Sequence, residues 1–194
     1  MPKLGMEPIR RRQLIEATIA SIYEDGLADT TVSRISARAG ISPGLVHHYF
    51  ENKDALLEAT LRMLATQVRR GTVERLARAR GPRERLVAII QSWLSPDQLT
   101  PAAITAWLSF WALVKTQPRL RRIERVISRR LDSNLRHELK KLMPAAEAIK
   151  VAAGLGTLLD GLWLRAALAE DPSSSEQAIA TALDYLDLQL ARPR

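Results

Sequence analysis

The chain has 194 residues, 46% of them apolar, with a net charge of +8 and no cysteine. That length supports one or two compact units with a real core. The missing thiols exclude a disulfide framework, a cysteine nucleophile and a cysteine metal site, and three histidines leave little for any other metal.

The start, Met1-Pro-Lys-Leu-Gly-Met, lacks the apolar core of a signal peptide. The most apolar stretch, Val151 to Ala169, carries Asp160 and Arg165, which favours a buried helix of a soluble protein over a membrane span. These features and the lack of cysteine fit a cytoplasmic protein.

Ile9 to Asp25 reads as the first helix, with Leu14, Ile15, Ala17, Thr18, Ile19 and Ile22 as its apolar stripe and Gly26 as its end. Arg10, Arg11 and Arg12 lie near its start, where cations oppose the helix dipole. A DNA phosphate or a local acid such as Glu7 would each offset them.

Thr31 to Phe50 organises the rest. Thr31 is placed to cap a helix over Val32 to Ala39, and Ile35 faces inward. Gly40 can take the positive φ that ends this helix. Ser42 then caps a second helix with Pro43 in its first position. Val46 and Phe50, four apart, point into a core; Leu45, His47, His48 and Tyr49 remain on the other faces. A short helix held from behind, with polar and aromatic groups outward, suits the major groove of DNA. An ordinary helical hairpin in a bundle accounts for the same pattern.

Lys53 opens a long helix with Leu56, Leu57, Leu61, Leu64 and Val68 along one side, stopped at Gly81-Pro82. Pro82 to Leu94 is a short helix, and Ser95 to Thr100 a loop. Pro101 begins a helix to about Thr116. Pro118 begins a basic one that ends near Met143-Pro144. Ala145 to Ala169 is nearly all apolar, Asp171 to Ser175 is a loop, and the last helix runs from about Ser175 to Ala191. There is no strand signal, repeat or Gly-rich phosphate loop. The expected fold is all-α with about nine helices. The last two carry more apolar surface than one chain can cover, which predicts a homodimer through them.

The charge is unevenly placed. Residues 1–50 hold six basic and five acidic side chains, whereas residues 101–150 hold eleven and four. The net charge permits a polyanionic partner without locating the contact surface, and the Arg-rich run 119–130 reads first as a solvated helix face.

All four tryptophans lie beyond residue 90. Trp107 and Trp111 are four apart with Phe110 between them; Trp163 follows Asp160 by three; Trp93 closes its helix. Indole faces attract cations by roughly 0.5–2 kcal/mol each, so these rings and one carboxylate fit a cage for a quaternary ammonium. Buried tryptophans that serve only as core are the alternative. His47 and His48 are adjacent and point about 100° apart, a poor arrangement for joint metal ligation.

Together these residues resemble the TetR family of transcriptional repressors. The match lies in TVSRISARAGISPGLVHHYFENKDAL: helix, Ala-Gly turn, Tyr-Phe end and Asn-Lys-x-x-Leu at the next helix. It covers about residues 8–68. The blocks MPKLGMEPIRRRQLIEAT, AWLSFW and LLDGLWLRAAL are similar to the choline-responsive, Bet-type branch of that family, which governs glycine betaine synthesis.

The resemblance implies a helix-turn-helix domain over 8–68, with its reader at 31–50, and a ligand-binding and dimerisation domain over 69–194. It implies base-facing roles for Leu45, His47 and His48, and phosphate contacts for Thr31, Ser33, Ser42, Tyr49 and Lys53. It implies choline as the inducer, held by Trp107, Phe110, Trp111, Asp160, Trp163 and Trp93, and a near-palindromic operator as the DNA partner. No cofactor, metal or membrane is called for, and no catalytic residues. An efflux regulator answering bulkier cations, a small helical enzyme acting on choline and a protein-binding module without DNA are the alternatives.

Overall fold

The computed structural model describes residues 6–169, 171 and 174–192. The chain start through Gly5 and the Pro172-Ser173 part of the expected loop lie outside the described residues. Among the described residues there are nine α-helices and no strand. They are α1 (Met6–Asp29), α2 (Val32–Ala39), α3 (Pro43–Tyr49), α4 (Lys53–Leu76) and α5 (Pro82–Trp93). After a single 3-10 turn, Pro96–Gln98, come α6 (Pro101–Val114), α7 (Pro118–Leu139), α8 (Ala145–Leu168) and α9 (Ser174–Leu190). Helix α4 stops four residues earlier than its apolar pattern suggested, and α7 likewise ends before Met143.

The chain forms two compact units, Met1–Ala65 with Pro101–Glu124, and Thr66–Thr100 with Arg125–Arg194. This grouping differs from a division at residue 68, because α6 packs along α1 and joins the first unit. Helices α4 and α7 contribute residues to both.

In the first unit, α1 is the backbone on which α2, α3 and α6 rest. Gly26 (φ 78°, ψ 161°) leaves the helical backbone and ends the main run of α1, as expected, and a short last turn follows it to Asp29. Buried Thr30 donates from both its N–H and its hydroxyl to the Gly26 carbonyl, which secures that turn. The core of the three-helix part is Leu14, Ala17, Ile35, Ile41, Val46, Phe50 and Leu56. Each large aliphatic in it contributes about 1.5–3 kcal/mol by leaving water.

In the second unit, α8 packs on α9, and α5 packs on both. Gly154 is what lets α8 approach: a side chain there would stand 2.6 Å from the Tyr185 hydroxyl. The Ser175 hydroxyl donates to the Leu94 carbonyl at 2.6 Å, fastening the start of α9 to the end of α5. By length and composition alone α8 could cross a membrane, yet Val151, Ala152, Leu155, Leu159 and Trp163 on it are buried within the protein.

Glu138, its side chain 3% exposed, receives Arg85 at 2.6 Å and Lys141 at 2.8 Å. Burial works to raise its carboxyl, but hydrogen bonds from Lys141 and Arg85 and their charges outweigh that and hold it below its ordinary range. A depressed carboxyl stabilises the fold fully above its unfolded pKa of about 4.3, and the contribution fades as pH falls through the lower folded value. Glu138→Gln is expected to lower stability at pH 7 by about 1–3 kcal/mol. In urea melts, the gap between the two proteins should hold from pH 7 to about 5 and narrow only as the pH is lowered below about 4.

Candidate nucleic-acid interface

Helix α3 has seven residues, too few to be stable alone. Its shape is imposed by the groups around it. Gly40, at φ 64°, closes α2: its N–H reaches the Ala37 carbonyl at 3.2 Å, and the Ile41 N–H reaches Ser36 at 2.9 Å. This double closure needs a left-handed residue, which glycine supplies without a Cβ penalty. The Thr31 hydroxyl accepts from the Arg34 N–H, and the Ser42 hydroxyl accepts from the Leu45 N–H. Both caps keep their own O–H free to donate outward. Val46 and Phe50 anchor the helix from behind, 1% and 3% exposed.

The three arginines near the start of α1 do different things. Arg10 hydrogen-bonds Gln13, and Arg12 pairs with Glu16. Arg11 turns inward, donates to the Tyr49 carbonyl at the end of α3 and lies 4.2 Å over the Phe50 ring. The anion it answers is the negative end of the reading helix; the sequence pattern had pointed to a phosphate or Glu7. Helix α2 is tied to α1 in a similar way. Arg38 donates to both Glu24 oxygens at 2.7 Å and to the Ser21 hydroxyl at 3.2 Å. Those hydrogen bonds hold the Glu24 carboxyl below its ordinary range. Arg34 pairs with Asp25 at 3.2 Å. Asn52 caps α4, accepting from the Ala55 N–H at 2.9 Å. Sequence reasoning missed the Arg11, Arg38 and Asn52 roles; only the Asn at a helix start carried a local signal.

With that frame in place, Thr31, Ser33, Ser42, Leu45, His47 and His48 are all exposed. Tyr49 and Lys53 are half-buried and already engaged. Tyr49 packs on the core and meets His48 edge-on, ring centroids 5.1 Å apart, and the Lys53 amine reaches the Leu27 carbonyl at 3.3 Å. Imidazoles can donate to or accept from base edges, and a leucyl methyl can meet the methyl of thymine.

The candidate ligand residues divide between the units. In the first, α6 carries Trp107 (9% exposed), Phe110 (fully buried) and Trp111 (37% exposed). In the second, Trp93 is half-buried at the end of α5, Trp163 on α8 is 5% exposed, and Asp160 one turn earlier is exposed. Among the described residues no group of three or more acidic, His or Cys side chains could hold a metal.

A capped, two-helix reader held on a third helix defines a helix-turn-helix DNA-binding regulator. The family described as "Bacterial regulatory proteins, tetR family" matches residues 14–60, and "BetI-type transcriptional repressor, C-terminal" matches residues 82–191. The chain therefore belongs to the TetR family of bacterial regulators, in its BetI-type branch. The HTH-type transcriptional regulator BetI of Burkholderia mallei is 47% identical over 100% of both chains. That of Serratia proteamaculans is 45% identical over 98% of this chain and 97% of its own. Among solved structures, a TetR transcription regulator from Haloarcula marismortui superposes with TM-score 0.83 at 25% identity, covering 93% of this chain and 98% of that one. A chain from Saccharomonospora viridis, solved in complex with choline, shares the fold with TM-score 0.78 at 21% identity, covering 93% and 96%.

The inward role of Arg11 separates it from its neighbours. Arg11→Met removes a hydrogen bond and the stacking on Phe50. It is expected to lower stability by about 1–2 kcal/mol and to weaken DNA binding. Arg10→Met, which gives up only a surface hydrogen bond to Gln13, should change little in thermal melts or gel shifts.

Proposed function

We propose that this protein represses genes for choline uptake and for conversion of choline to glycine betaine, and that choline releases it from DNA. It acts in the cytoplasm as a homodimer on a near-palindromic operator. The observation that carries the reading is the full-length similarity to BetI regulators, joined to a BetI-type match over residues 82–191, the half outside the reader.

Two recognition helices related by a two-fold axis read successive major grooves of a palindrome. In this reading Leu45, His47 and His48 face the bases, and the Thr31, Ser33 and Ser42 hydroxyls donate to phosphates. Tyr49 and Lys53 add contacts at the edge. The dimer forms through α8 and α9. What supports this is apolar surface left open on them: Ile149 (43% exposed), Leu164 (37%) and Leu168 (68%) on α8, and Leu188 (68%) on α9. A side chain at Gly156 or Gly161 would meet nothing within 4 Å, so both positions leave room for a partner helix.

Choline has no N–H to donate, so it is recognised by charge and by aromatic faces. The candidate indoles are Trp107 and Trp111 beside Phe110 in the first unit and Trp163 in the second, where Asp160 is the candidate negative charge. Trp93, on α5, is a further candidate in the second unit. The same carboxylate repels that of glycine betaine, which makes the protein a sensor of precursor rather than product. Induction needs a second state that choline prefers; a hundredfold preference shifts the equilibrium by about 2.7 kcal/mol.

A gel shift on the promoter beside its own gene tests the whole reading. Millimolar choline should release the DNA and glycine betaine should not. Release by large aromatic cations, with choline inert, would replace it with an efflux regulator. Trp107→Ala and Trp163→Ala should each raise the choline needed for half-release about tenfold or more while leaving ligand-free DNA binding intact. Leu164→Arg should turn the dimer into monomer in sedimentation.

A further inference from the structure

Several arginines of this molecule have anionic neighbours. Arg12, Arg62, Arg70 and Arg136 each pair with an acid one turn away. Arg83 pairs with Asp187, and Arg34 and Arg38 pair with Asp25 and Glu24. Residues 119–130 on α7 form a dense basic run without such pairs. They hold six arginines (Arg119, Arg121, Arg122, Arg125, Arg129 and Arg130) and one acid, Glu124. All six are exposed, and none has an ion-pair partner among the described residues. At about 100° per residue they occupy roughly half the helix circumference. The buried Leu120, Ile123 and Leu131 take the other side.

Arginines three and four apart on one helix repel each other. Nothing in the fold requires six of them here, since the core side of α7 is already apolar. What relieves the repulsion is an extended polyanion. The reader makes duplex DNA the occupant that fits. The reader's own cations are largely used within the protein: Arg34 and Arg38 are paired, Arg11 faces inward, and the Lys53 amine sits on a carbonyl. The charge that draws the protein to DNA must then come from elsewhere, and α7 has the densest unpaired supply.

We propose that the arginine face of α7 binds the phosphate backbone of duplex DNA without regard to sequence. It thereby supplies the non-specific affinity on which α3 then reads bases. The inference rests on DNA binding and not on choline.

The test uses the full-length protein and a 60-bp duplex of arbitrary sequence, with fluorescence anisotropy over about 50–200 mM salt. R122Q/R125Q/R129Q should weaken binding at least fivefold and lower the log–log salt slope by about two to three, near 0.9 for each phosphate no longer neutralised. R122K/R125K/R129K keeps the charges and should keep both affinity and slope. Equal melting temperatures of the three proteins show that folding is not the cause. A Gln variant with the wild-type slope would overturn the proposal, as would a Lys variant that weakens as much as Gln. So would unchanged DNA binding with loss of attachment to vesicles containing 30% phosphatidylglycerol, which would assign the face to a lipid surface.

Discussion

A seven-residue helix cannot hold its own shape in water, and the DNA-reading half of this protein is built around that constraint. Helix α3 is fixed at three points. Ser42 satisfies a donor at its start, Val46 and Phe50 bind its rear face into the core, and Arg11 closes its end. The last of these joins two forces in one side chain. The guanidinium donates to the negative end of the helix and also covers an aromatic ring. Helix α1 is therefore more than a wall of the core, because it carries the residue that terminates the reader.

The elements of the fold were legible because each rests on local chemistry. Thr31, Gly40, Ser42 and Pro43 mark helix ends by what their backbones and hydroxyls can do, and the structure places α2 and α3 within the bounds they set. The apolar period of 3.6 marked Ile35, Val46, Phe50 and the leucines of α4 as core. Contacts between residues far apart in the chain were not legible. Three consecutive arginines look alike in sequence, and only the folded chain shows that Arg11 is 38 residues from its acceptor. The bidentate Arg38–Glu24 pair and the Arg85–Glu138 pair were hidden for the same reason. The division of the chain into units was hidden too, since it depends on α6 lying on α1, and nothing local announces that.

The candidate DNA contacts were read from exposure and type, and six of the eight are exposed. The candidate ligand residues were less tractable. Spacing places Trp107 and Trp111 on one side of a helix, but it does not say that Trp107 is 9% exposed and Trp111 37%. An indole serves a core and a cation equally well, so its position in the sequence carries little chemistry. The small residues of α8 show the same limit: Gly154 sits under the Tyr185 hydroxyl, whereas Gly156 and Gly161 face open space. Identical letters on one helix answer different needs.

Within the reader, the residues that hold shape and those that face outward form separate sets. Ile35, Gly40, Val46, Phe50 and Arg11 are fixed by packing, backbone and charge. Ser33, Leu45 and His47 are exposed, and none of their side chains serves as a cap or core anchor. Substitutions at such positions usually change stability by about 0.5 kcal/mol or less. Operator preference can therefore drift one residue at a time without passing through an unfolded intermediate. After a gene duplication, two copies of this repressor could come to govern different promoters while sharing one scaffold.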